Sequence, residues 1–235
     1  MVNRSRRPRR PRLLSVPLAA IGLVLGMAHP VLADNPIPTV VDSTRSGGLS
    51  VGFTFDDGPN PPDTLRLLDV LREHHVKAVF CLWGDHVRRH PEIVRQIVAD
   101  RHTLCNHSMH HDDMATWSAE QIRADLLETS AAIRAAVPGA HIPYFRAPYG
   151  SWGQTPTVAA DLGMQALGWR MAIGDWDPPG TAELIRRLRE GITPGAVVLM
   201  HDGGGDRSQT VDAVDAVIPA LRSEGWHLSL PARRG

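Results

Sequence analysis

Short apolar runs alternate with amphipathic stretches along this chain. Residues 49–53, 77–82, 102–105, 164–171, 196–200 and 226–230 are brief and mostly apolar, as buried strands are. Between them apolar residues recur at helical spacing. Leu65, Leu68, Val70 and Leu71 mark one helix after Pro61-Pro62, with Asp63 placed as its N-cap. Ile93, Val94, Ile97 and Val98 mark a second over 91–99, and Ser118 caps a third that carries Ile122, Leu126, Leu127 and Ile133. Further helices are predicted over 155–162, 181–190 and 210–223, and 144–150 reads as a strand end running into a turn. Such alternation predicts a parallel sheet covered by helices.

The polar residues able to do chemistry fall after the strands: Asp56-Asp57, His107 and His111, Arg146 and Tyr149, Asp175, and His201. In a parallel barrel those strand ends share one face, and sites are built there. An open doubly wound sheet is the alternative, but no Gly-rich nucleotide fingerprint follows the first strand.

The first residues change the picture of organisation. Arg4, Arg6, Arg7, Arg9, Arg10 and Arg12 precede an apolar run over 13–28, and Val31-Leu32-Ala33 supplies a small-residue exit. This predicts a secretory signal peptide over 1–33, a Pro/Gly-punctuated linker over 34–48 and one folded domain over 49–235. The apolar run is short and interrupted for a membrane span, so no stable span is expected after cleavage; an uncleaved anchor is the alternative. Ser5-Arg6-Arg7 hints at twin-arginine export. A secreted or cell-wall-associated monomer is expected. Formal net charge is +0, which argues against a nucleic-acid partner. Cys81 and Cys105, the two cysteines of the chain, are either one bridge or two buried thiols.

Two adjacent carboxylates before Gly58-Pro59 repel one another, and burying both is costly unless a cation or a proton neutralises one. His107 and His111 stand four apart, a spacing that suits zinc or a similar divalent ion, although His110 and Asp112 compete on count alone. Either Asp57 or Asp56 then supplies an oxygen ligand, and its neighbour is the natural general base. His201, at the end of the most convincing strand, is placed as a general acid. Arg146 suits a carboxylate, the amide of Tyr149 after Pro148 suits an oxyanion, and Trp176 beside Asp175 could wall a pocket. Trp152, Trp169 and Trp176 are candidates for stacking on sugar rings.

Taken together, these residues resemble the polysaccharide deacetylase family, the NodB homology domain of carbohydrate esterase family four. Five motifs stand in the family's order: Thr54-Phe55-Asp56-Asp57-Gly58-Pro59, His107-Ser108-Met109-His110-His111, Arg146-Ala147-Pro148-Tyr149, Asp175-Trp176 and Leu199-Met200-His201-Asp202. The resemblance implies a distorted parallel (β/α) barrel with fewer than eight regular strands. It implies Asp57, His107 and His111 as ligands of one divalent metal ion, zinc foremost, with cobalt or nickel as options. By the same resemblance Asp56 is the base, oriented by Arg146, and His201 is the acid, tuned by Asp175. The Tyr149 amide contacts the oxyanion, and Trp176 and Leu199 line a slot for the acetyl methyl. Ser108 falls where the family steadies the loop.

The implied activity is hydrolysis of a carbon–nitrogen bond other than a peptide bond: removal of N-acetyl groups from chitin oligomers or peptidoglycan. An O-acetyl esterase acting on acetylated xylan is the runner-up, and a non-catalytic glycan-binding protein the alternative from another class. The chain departs from the family at Val79-Phe80-Cys81, at Arg101-His102-Thr103 and at Asp112, where a Pro is usual. These departures bear on metal preference and rate more than on reaction type.

Overall fold

The structure, a computed structural model, describes Met1 and residues 38–233. Apart from Met1, the segment predicted as a signal peptide lies outside the described residues. The strands are β1 (Ser50–Asp56), β2 (Val79–Leu82), β3 (Thr103–Asn106), β4 (Tyr144–Phe145), β5 (Gln165–Ala166), β6 (Met171–Ala172), β7 (Ala196–His201) and β8 (His227–Leu228). The helices are α1 (Asp63–Glu73), α2 (Gly84–Arg89), α3 (Pro91–Ala99), α4 (Ala119–Ala136), α5 (Thr155–Asp161), α6 (Thr181–Gly191) and α7 (Ser208–Ser223).

All strand pairs are parallel, in the order β5-β4-β3-β2-β1-β7-β6. β8 pairs with β1 at Ser50 and Val51, below the point where β2 joins at Thr54. This curled sheet is the expected distorted (β/α) barrel, with several strands only two residues long.

β1 is buried along its whole length, and its pleat divides two environments. Val51, Phe53 and Phe55 join the large apolar cluster beneath the helices, together with Leu67, Leu68 and Leu71 of α1. Each such side chain contributes about 1.5–3 kcal/mol through burial. The alternate residues face inward, where Val79, Cys81, Cys105, Tyr144, Leu167 and Val197 form a second, smaller cluster. Above it lies Arg146, the largest fully buried side chain. Cys81 and Cys105 stand opposite one another in the β2–β3 register, 4.1 Å apart at Cα, and are joined by a disulfide.

Several elements differ from the sequence reading. Pro62 takes the N-cap position of α1, so Asp63 is the first residue of the helix and does not cap it; its carboxylate accepts the Arg207 amide at 2.8 Å instead. Ser118 does cap α4, through a reciprocal box with Gln121. The run over 164–171 is not one strand. Leu167 and Gly168 give their carbonyls to the Arg146 guanidinium at 2.9 and 3.0 Å, so the ladder breaks there. The chain crosses from β5, at one end of the sheet order, to β6 at the other. The segment expected as a linker is partly seated on the barrel: Val41 is buried and bridges Leu167, and Ser43 bridges Ala196.

Candidate active site

The first acidic motif is where β1 ends. Asp56 pairs in register with His201 of β7, which sets the two ends of the site side by side. The next residue leaves the strand: Asp57 has φ 73°, the left-handed region, where Asp is tolerated better than most residues. That reversal separates two adjacent carboxylates into different surroundings. Gly203 is required here, because a Cβ on it would collide with the Asp57 carbonyl.

Asp56 is buried and accepts a hydrogen bond from Arg146 Nη1 at 2.7 Å. Arg146 also donates to Thr54 Oγ1 at 2.9 Å and to the Leu167 and Gly168 carbonyls, so each of its three nitrogens has an acceptor. Its own carbonyl accepts from His107 Nδ1 at 2.9 Å. That bond places the hydrogen on Nδ1 and turns Nε2 toward the acids.

Asp57 Oδ1 lies 3.3 Å from His107 Nε2 and 3.2 Å from His111 Nε2. It is buried and makes no aligned hydrogen bond with either ring, or with any other described group. The three atoms therefore converge on a shared point without bonding to one another, and they form a group compact enough to hold a metal ion. A buried carboxylate oxygen left without a donor is costly unless a cation meets it. Burial pushes the Asp57 carboxyl up, but its contacts with the two imidazoles outweigh this and hold it well below the usual carboxylate range. Burial opposes the His107 imidazolium, yet the facing charges of Asp56 and Asp57 raise its pKa above the ordinary value. A divalent cation would compete with that proton.

The loop after β3 is built to present its histidines. Ser108 (φ 64°) and His111 (φ 60°) adopt left-handed conformations, tied by Ser108 N–H to Asn106 Oδ1 at 3.0 Å and His111 N–H to Ser108 Oγ at 2.9 Å. His110 points away, to Asp85 on the surface at 2.9 Å, and Asp112 is exposed. Backbone conformation thus brings His111, and not His110 or Asp112, beside His107 and Asp57.

Across the cleft, Asp175 is buried and accepts from His201 Nδ1 at 2.8 Å, His201 N–H at 2.8 Å and Thr210 Oγ1 at 2.9 Å. Burial opposes the His201 imidazolium, but Asp175, with Asp56 and Asp57 beyond it, raises its pKa. The Trp176 ring meets His201 edge-on at 5.8 Å and is 57% exposed. Tyr149 is exposed, at φ 59°, and the turn around it closes through the Gly150 and Ser151 amides, not its own.

Asp56, Asp57, His107, His111, Tyr149, Trp176, Leu199 and His201 line one cleft of about 440 Å³. Arg146 and Asp175 stand directly behind it. Of the candidate stacking residues, Trp169 also lines the cleft, whereas Trp152 packs on the core. Sequence reasoning missed Arg207, which lines the cleft and donates to the carbonyls of Gly203, Gly204 and Asp175. Asp202, quoted in a motif but given no role, is buried against Thr64, and burial pushes its carboxyl up to about 7. The Thr64–Asp202 contact spans most of the chain, and no local spacing announces it.

Fold and site define a distorted-barrel hydrolase whose strand ends gather an Asp-His-His group between an Asp–Arg pair and a His–Asp pair. Residues 44–167 match the polysaccharide deacetylase family. The chain is 37% identical to a chitooligosaccharide deacetylase of Sinorhizobium fredii, across 81% of this chain and 94% of that one. It is 33% identical to a peptidoglycan-N-acetylglucosamine deacetylase of Bacillus cereus, across 75% and 83%. Among solved structures, a carbohydrate esterase family four pseudoenzyme from Bacillus anthracis aligns with TM-score 0.75 at 31% identity, across 81% of this chain and 66% of that one. The chain belongs to the polysaccharide deacetylase family.

Proposed function

We propose that the protein is an exported, metal-dependent hydrolase that removes acetyl groups from N-acetylglucosamine residues of a glycan. A related fold in a pseudoenzyme means that fold alone carries no activity. The observation that carries the reading is the convergence of Asp57 Oδ1, His107 Nε2 and His111 Nε2 between Asp56–Arg146 and His201–Asp175 in one cleft. These three residues would hold the cation, with zinc first among the options given two imidazoles and one carboxylate. A divalent ion held there supplies Lewis-acid chemistry, polarising a carbonyl and making a water nucleophilic near neutral pH.

The chain's own groups do the rest. Asp56, aimed by Arg146, takes the proton from the attacking water. The Tyr149 amide donates to the carbonyl oxygen as negative charge develops. His201, held by Asp175, gives a proton to the departing nitrogen, so the carbon–nitrogen bond breaks with an amine rather than an amide anion as leaving group. Leu199 and Trp176 wall the space for the acetyl methyl. The relatives with chitooligosaccharide and peptidoglycan names support an N-acetylglucosamine substrate. The Arg-rich head and apolar run of the sequence support export, as does a disulfide in a chain with no other cysteine.

Acetate release tests this reading on chitin oligomers, peptidoglycan and acetylated xylan, with and without a chelator. Release from the first two, lost with chelator and restored by zinc, is expected. Release from xylan alone would make the protein an O-acetyl esterase, and binding without release a glycan-binding protein.

A further inference from the structure

We infer that the short helix α2 braces the cation-holding triad and that His86 is a positioning residue for it, acting through the Asp57 carbonyl. The inference rests on the reading of Asp57, His107 and His111 as ligands.

The triad comes from two separate loops: Asp57 follows β1, while His107 and His111 follow β3. Between those strands lies β2, and the chain leaves it through Trp83 into α2. Three successive amides at that junction grip both loops. Trp83 N–H donates to Gly58 O at 3.0 Å, Gly84 N–H to Ser108 O at 2.9 Å and Asp85 N–H to Met109 O at 3.0 Å. The loops are thereby held at a fixed separation by a segment that contributes no ligand itself.

His86 adds a side-chain bond to a ligand residue, with its Nδ1 2.7 Å from Asp57 O. A carbonyl only accepts, so Nδ1 carries the hydrogen. The same peptide is met by Gly203, where any Cβ would collide with it. Asp57 is thus clamped between α2 and the loop after β7, in a backbone conformation (φ 73°) that it does not adopt readily by itself. Fixing the carbonyl limits rotation about the Asp57 backbone, and so fixes where the carboxylate points.

The same imidazole stacks on Trp83, with centroids 4.3 Å apart and planes 17° from parallel. Trp83 in turn packs against the His111 ring at 5.0 Å. One His–Trp pair therefore touches ligand residues from both loops. Trp83 Nε1 has no partner among the described residues. Its ring contributes through its face and not through its N–H.

The test is zinc affinity of the purified folded protein, measured by competition with a chromophoric chelator, with melting curves recorded alongside. Wild type should bind one equivalent. His86→Ala should weaken binding about 10–100-fold, the usual effect of losing a group that orients a ligand. His86→Phe keeps the stack on Trp83 but removes the donor, so it should weaken binding as well; it decides the matter if the alanine variant does not fold. His86→Asn, whose amide can donate to the same carbonyl, should recover most of the loss. Trp83→Phe should bind near wild type. Arg88→Ala, on the same helix but paired with Glu128 at the surface, should leave affinity unchanged. Wild-type affinity in His86→Phe, or no recovery in His86→Asn, would overturn the brace while leaving the ligand set standing. A wild type that binds no zinc would overturn both.

Discussion

Two aspartate–arginine pairs in this protein share a separation of 2.7 Å and little else. Arg146–Asp56 sits at the mouth of the barrel with side chains 0% and 4% exposed, whereas Arg72–Asp69 lies along α1 with side chains 48% and 70% exposed. In the first pair every guanidinium nitrogen has a fixed acceptor within the fold. In the second, water competes for the same atoms, and salt screens the charges. Distance alone therefore says nothing about what a pair does here. The surroundings make one a fixed clamp on a buried carboxylate, and the other a solvated pair on the surface of a helix.

Arg146→Ala should produce the largest effect, because it leaves Asp56 buried without its partner and frees two carbonyls at the break between β5 and β6. Loss of one member of a buried pair costs about 3–5 kcal/mol, readable by urea unfolding. Arg146→Lys keeps the charge but not the fork. It should fold better than the alanine variant yet still lose acetate release. A lysine variant with wild-type activity would break the comparison.

His201→Ala sharpens the comparison on the acid side of the cleft. General acid catalysis contributes about 10²–10⁴-fold, so kcat for N-deacetylation should fall by that order. An aryl acetate has a leaving group that needs no proton, and its hydrolysis should fall much less. Equal losses on both substrates would remove the assigned role.

A smaller effect concerns His102, a buried imidazole whose Nδ1 accepts the Ala78 amide. Burial, with the charge of Lys77 behind it, lowers its pKa from 6.5 to about 4. The folded state thus holds the neutral ring, and its contribution is fully present above pH 6.5. It is lost as the pH falls from there to about 4, because the unfolded chain takes up the proton first. The difference in unfolding free energy between wild type and His102→Asn should shift by about 3 kcal/mol across that window. A difference independent of pH would show that folding leaves the His102 pKa where it stands in the unfolded chain. Smallest of all, Asp69→Ala, which removes the exposed pair and leaves Arg72 on Asp100, should barely move the urea midpoint, and less still in high salt.

Much of this was legible in the sequence because it is local. Helices with a continuous apolar face, such as α3 and α4, follow from periodicity, and the site residues follow from motifs of a few positions each. What was not legible depends on distant partners. α2 has one buried apolar side chain, Val87, and so no periodicity to read. The apolar run over 164–171 reads as a single strand until Arg146, from another element, claims its carbonyls. Arg207 and His86 carry no motif, and each acts on backbone carbonyls that a sequence does not display. The backbone reversals at Asp57 and His111 send neighbouring residues that composition leaves equal into different surroundings.

The most direct measurement is an anomalous difference map from crystals of the protein grown with zinc. One strong peak is expected at about 2.0–2.2 Å from Asp57 Oδ1, His107 Nε2 and His111 Nε2, with Asp56 outside the coordination sphere and still on Arg146. A peak held by Asp56 in place of Asp57, a peak at His110 and Asp85, or no peak in the cleft would contradict it.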